Sequence, residues 1–185
     1  MKTESANTIN GHEYVDLGLK VKWATCNVGA SKPSDYGDYY AWGETEPKQT
    51  CTRENSKTYG KKIADIGGDA HYDAATAQWG APWRLPTKAD FWELENLCTW
   101  EGTELDGVRG YKITGKNGNS IFLPAAGWIE GKTKESAGSY GNYWTSTPDE
   151  NNNEDAYRLY FSDDGRGTYW SYSRCAGRSI RPVAE

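Results

Sequence analysis

The sequence predicts an α+β domain in which two helices are followed by mostly antiparallel strands. Three observations carry this expectation. Short alternating runs recur between clusters of Gly, Asn, Asp and Ser, the punctuation of strands and turns. Only two stretches have helical character, and both lie in the first half. The chain also carries 9 Trp, 13 Tyr and 3 Phe. Disordered chains lack such rings, and each ring can bury roughly 150–250 Å² in a core.

The elements follow in order. Residues 13–23 (EYVDLGLKVKW) read as strand, turn, strand, and 36–42 (YGDYYAW) as a short aromatic strand. Residues 44–68 are polar and contain Pro47, Cys51 and Gly67-Gly68, which predicts a surface excursion. The first helix is expected over 70–79 (AHYDAATAQW), with Asp69 as its N-cap. The second starts at Thr87. Asp90 stands three residues on, at capping-box spacing, and Phe91, Leu94, Leu97 and Cys98 form one apolar face. Strands are expected within 107–114, 119–128 and 156–162, with Asn117-Gly118 as a hairpin turn. Trp23, Trp42, Trp83 and Trp144 are expected in the core.

With 185 residues, the chain has the length of about one domain. Residues 13–185 read as that domain and 1–12 as an N-terminal linker or added residues. No apolar run approaches the roughly 18 residues of a membrane span. With 21 basic and 26 acidic residues, the net charge is −5. That argues against nucleic-acid partners, whose binders concentrate positive charge. The N-terminus has no apolar signal region. Cys26, Cys51, Cys98 and Cys175 lie far apart, with no CxxC or Cys/His cluster, so zinc is not expected. Their pairing is open among three arrangements.

Catalytic signatures are absent. There is no GxSxG or Walker sequence. His71 precedes the Ala-rich helix and reads as structural, and no pair of carboxylates is marked out for glycoside hydrolysis. The loop PDENNNED (148–155) is rich in oxygen ligands, which makes calcium a candidate, although the spacing is not that of an EF-hand. No other cofactor is expected.

The C-terminal third is the most informative region. In AYRLYFS (156–162), alternation puts Tyr157, Leu159 and Phe161 on a core face and Arg158, Tyr160 and Ser162 on the other. A Gly/Asp turn follows, then TYWSYSRCAGRS. That mixture of rings, small polar residues and Arg is the composition of binding surfaces.

The ordered motifs EYVDLGL, KWATCNVGA, YGDYYAWGET, WRLPTKADF, NGNSIFLPAAG, SAGSYGNYWTSTP and GRSIRPV resemble the Fibrobacter succinogenes major paralogous domain, common in surface and secreted proteins of Bacteroidetes-type bacteria. That family in turn resembles the formylglycine-generating enzymes, a variant of the C-type lectin fold, through WRLPTKADF and YWTS. The resemblance implies a C-type-lectin-like fold, two helices packed on small antiparallel sheets, with the first and last strands paired. It also implies an extracellular or cell-surface location. The oxidase chemistry does not carry over. It needs two thiolates at one copper site near the C-terminus, and that region offers only Cys175. No catalysis is therefore expected.

The C-terminal end is also similar to the variable proteins of diversity-generating retroelements. Carried over by position, the ligand-binding residues would be Asp149, Asn151, Asn152, Arg158, Tyr160, Ser162, Arg166, Tyr169, Ser171, Tyr172, Cys175, Ala176 and Arg178. Trp170 is not reachable from an Asn codon, and joins this face as a ring of the same stretch. The expected function is non-catalytic binding of a protein or carbohydrate ligand. A formylglycine-type oxidase or other enzyme, and a ligand-free structural spacer, are the alternatives.

Overall fold

The computed structural model describes residues 7–168 and 170–185. The chain is β-rich, with 37% strand and 9% helix. This corrects the expected α+β, C-type-lectin-like arrangement of two helices packed on small sheets. The helices are too short to form a layer: α1 (Ala74–Trp79) has 6 residues and α2 (Lys88–Leu97) has 10. No helix among the described residues is long and apolar enough to cross a membrane.

The first sheet joins β1 (Thr8–Ile9), β2 (His12–Val15), β3 (Lys22–Ala24) and the last strand, β13 (Val183–Ala184). Asn10 and Gly11 link β1 to β2 with φ of 50° and 80°, the left-handed pair that a two-residue hairpin turn needs. Pairing therefore begins at Thr8, inside the stretch expected as linker. Strand β13 closes the sheet by pairing Val183 with Trp23.

A second sheet is a meander of β4 (Thr99–Leu105), β5 (Val108–Thr114) and β6 (Ser120–Pro124). Asp106-Gly107 turns the first hairpin with φ of 53° and 77°, and Asn117-Gly118 lies in the second, as expected. Strands β7 (Trp128–Glu130) and β8 (Thr133–Glu135) pair as a small ribbon. The last sheet is built around β10 (Asp155–Ser162). Strand β9 (Gly141–Pro148) pairs along one edge. The other edge is shared by β12 (Ser171–Ser173), at the start of β10, and β11 (Gly165–Gly167), at its end.

The β9–β10 ribbon has a core on each side. Tyr143, Leu159 and Phe161 pack with Trp23, Phe91, Leu94, Ile113 and Leu123. Trp144 and Ala156 pack with Trp42, Ile66, Ala74, Leu85 and Ile180 on the other face. Alternation along two paired strands makes this division, since directly opposite residues share a face. Trp23, Trp42, Trp83 and Trp144 are all fully buried.

Helix α2 begins as its sequence indicated. The Thr87 side chain accepts from the Asp90 amide and Asp90 accepts from the Thr87 amide, a reciprocal cap. Leu97, expected on the buried face, is exposed; Glu95 is buried instead and accepts from the Thr168 hydroxyl at 3.2 Å. Helix α1 starts four residues later than expected. Residues 69–73 form a turn, and Asp73 rather than Asp69 caps the helix. Its buried carboxylate accepts from Thr76 N (3.1 Å), Gly68 N (2.8 Å) and Leu85 N (2.9 Å). It gathers three chain segments, and that is a tertiary role no local signal announces.

One further expectation is corrected. Residues 36–42 form no strand; Tyr40 makes only a bridge to Arg178. The stretch 44–68, expected as a surface excursion, is tied to the rest of the fold at several points. Glu44 is buried, pairs with Lys48 at 2.7 Å and accepts from Lys57 N at 2.7 Å. Cys51 bridges Gly131, Thr58 donates to Trp42 O at 2.6 Å, and Ile66 N donates to Ser146 O at 3.1 Å.

Candidate functional site

Strand β10 places the expected face. Leu159 and Phe161 point into the core, as the alternation indicated, and Tyr157 is half-buried with the Lys88 ammonium 3.6 Å from its ring centre. Arg158 and Tyr160 are half-buried on the opposite side. The Arg158 guanidinium lies 5.0 Å from the Tyr160 ring centre and 5.1 Å from that of Tyr172. Tyr172 stands on β12 and is 48% exposed. The chain crosses from β11 to β12 through Trp170, which is 74% exposed. A cleft of about 250 Å³ opens there, lined by Tyr160, Ser162, Asp164, Arg166 and Trp170 with Gly165 and Gly167. Arg166 is exposed and stacks 4.9 Å from the Trp100 ring centre.

Three residues expected to face outward do not. Ser162, Ala176 and Arg178 are buried. Ser162 sits where β10 enters the turn to β11, and its hydroxyl accepts from Asp164 N at 3.2 Å. Ala176 and Arg178 belong to the segment that runs back under the ribbon. Arg178, 1% exposed, lays its guanidinium over Trp144 at 4.3 Å and over Tyr172 at 5.1 Å. Tyr169 lies outside the described residues.

The remaining expected positions form a rim. Asn151 and Asn152 are exposed. Asp149 accepts from the Ser171 hydroxyl at 2.6 Å and from Asn151 N at 2.9 Å. The Ser171 hydroxyl, then the Asn151 amide, hold the Asp149 carboxyl below its usual range. Cys175 is half-buried and 3.0 Å from the Ser173 hydroxyl. In the oxygen-rich loop, Asn152 donates to Asp155 at 3.0 Å and Glu154 accepts from Tyr59 at 2.6 Å. Asp149, Asn152, Glu154 and Asp155 are thus bonded to protein groups, and no cluster of three His, Cys, Asp or Glu side chains suited to a metal occurs among the described residues.

The electrostatics single out two arginines. Burial pushes the Arg178 pKa down, and the neighbouring Arg158 charge pushes it further. Burial likewise lowers Arg158. Neither forms an ion pair among the described residues. The Nε of each is buried without a hydrogen-bond partner, as is Asn142 Nδ2. Asn142 stands opposite Tyr160 across the ribbon and shares its face.

Sequence reasoning missed Asn142, Tyr140 and Trp128. Tyr140 packs 5.6 Å from Tyr160, and Trp128 packs 6.2 Å from Tyr140, so the ring row continues beyond β10. The usable signal was the period of two in GNYWTS, which puts Asn142 and Trp144 on one side. Cys51 was also missed as a neighbour of Cys175. Burial pushes its thiol up to about 11, with Cys175 close enough to add to the effect. A thiol so protonated is a poor nucleophile and a poor soft-metal ligand. His12 lies away from this face, stacked 3.8 Å from Trp79.

A family described as a domain of unknown function (DUF8237) matches residues 87–183. The matched stretch runs from the α2 cap to the last strand and contains the whole β9–β12 face. No curated protein and no solved structure matches the chain.

Proposed function

The chain belongs to the DUF8237 family of domains of unknown function, and we propose that it is a non-catalytic binding module of a bacterial surface protein. Its ligand, a protein or a glycan, is held on the face formed by Arg158, Tyr160, Trp170 and Tyr172. The observation that carries this reading is Trp170, 74% exposed beside a ring-lined cleft. A large ring left in water has no folding role, while exposed Trp, Tyr and Arg are the residues that dominate contact energies.

The frame supports the same reading. Asn151, Asn152, Trp170 and Tyr172 stand outside both cores, so they can change with little effect on folding. An array of glycans and host proteins tests the proposal. Wild-type protein is expected to give discrete signals that Trp170→Ala removes. A flat array would favour a spacer, and signals indifferent to Trp170 would place the ligand on another surface.

A further inference from the structure

We propose that Arg158, backed by the buried charge of Arg178, is a receptor for a single carboxylate on a sugar, so that the ligand is an acidic glycan carrying a uronic or sialic acid unit. This rests on the binding reading and narrows it.

The first argument is unmet hydrogen bonding. Arg158 Nε, Arg178 Nε and Asn142 Nδ2 are buried donors without acceptors. Buried cations are ordinarily paired, and an unpaired one is costly. Here both guanidiniums lie 5.1 Å from the same Tyr172 ring centre. Asp155 and Glu130 are close enough to feel Arg178, yet neither reaches ion-pairing distance. An acceptor-only group with two coplanar oxygens, binding the half-buried Arg158 fork bidentately, answers this unpaired charge.

The second argument is the surrounding charge. Asp149, bonded to Ser171 on β12, Glu154 and Asp155 beside it, and Asp164 in the cleft rim the face and repel a polyanion. One carboxylate on a neutral skeleton reaches the arginines at least cost. That favours a sugar acid over an acidic peptide. The third argument is shape. Tyr160 and Tyr172 set their rings against Arg158, Tyr160 also lines the 250 Å³ cleft with Trp170, and aromatic faces stack on the apolar face of a pyranose.

The test is an array of glucuronate-, galacturonate- and sialate-terminated oligosaccharides, each printed beside its carboxyl-reduced counterpart. The acid form is expected to bind about tenfold or more tightly than the reduced form. Arg158→Gln is expected to abolish that preference, with Arg158→Lys as a second variant should the first unfold. Trp170→Ala is expected to weaken acid and reduced forms alike. Equal binding of both forms overturns the carboxylate receptor while leaving the binding module standing. Absence of binding to every acid sugar, or capture of a Glu-rich peptide through Arg158 instead, also overturns it.

Discussion

The Arg178 guanidinium lies 4.3 Å from the centre of the Trp144 ring, and the charged side chain acting on it most strongly is another arginine, Arg158. Burial of two like charges side by side opposes folding, because both are desolvated and they repel. The buried Trp144 ring offsets part of this, at about 2 kcal/mol for a desolvated cation–π contact, while the half-exposed Tyr172 ring adds about 0.5 kcal/mol at most. Arg178→Met keeps much of the volume and removes the charge. It is expected to leave stability unchanged or to raise it by about 1 kcal/mol or more in urea unfolding. A loss above about 2 kcal/mol would show that the ring stack outweighs the desolvation.

Arg174 has a different part. Its guanidinium lies 4.3 Å from the Trp42 ring centre and donates to Asp155 O (2.9 Å) and Lys61 O (2.8 Å). It ties the 44–68 stretch to β10. Arg174→Leu is therefore expected to expose Arg53, Lys57, Lys61 and Lys62 to trypsin. Mass spectrometry of a limited digest checks this. An unchanged cleavage pattern would assign the anchoring to Glu44, Cys51, Thr58 and Ile66 without Arg174.

Cys51 is buried with its thiol pushed up to about 11 from 9.0. Two units remove about 99% of the thiolate available at a given pH below both values. Iodoacetamide at pH 8 is expected to label Cys26 and Cys175, both half-buried, well before Cys51. Labelling of Cys51 at the rate of Cys175 in folded protein would contradict the account of this pocket.

Asp149 is held below its usual pKa of 3.8, chiefly by the Ser171 hydroxyl. A carboxyl lowered in the folded state stabilises the fold above its unfolded value. That stabilisation disappears as pH falls from about 4 through the lowered folded value. Asp149→Asn is thus expected to flatten the acid limb of the stability profile between pH 4 and 2, and to leave the neutral limb shape unchanged. Parallel acid limbs in both proteins would show that the Ser171 bond carries no folding energy.

Much of this was legible in the chain. The Thr87/Asp90 cap and the inward Leu159 and Phe161 follow from local rules, because each depends on residues a few positions apart. Trp23, Trp42, Trp83 and Trp144 follow from size and apolarity. Other features depend on partners far away in sequence. Asp73 caps α1 because Gly68 and Leu85 also need its oxygens, while Asp69 has the same local credentials. Arg178 reads as a surface residue by type, and only the ring of Trp144 explains its burial. The helical share was overstated because the Ala-rich run 70–79 is half turn. The Asn10-Gly11 dipeptide carries a hairpin signal, but a strand of two residues before it leaves too short a pattern to read as paired.

The most direct measurement pairs thermal unfolding with ligand binding for the double variant Trp170→Ala/Tyr172→Ala. The account expects a melting temperature close to wild type, since exposed substitutions change stability by about 0.5 kcal/mol or less each, together with loss of the array signals. A large fall in melting temperature with binding retained would place these rings in the frame and the ligand elsewhere.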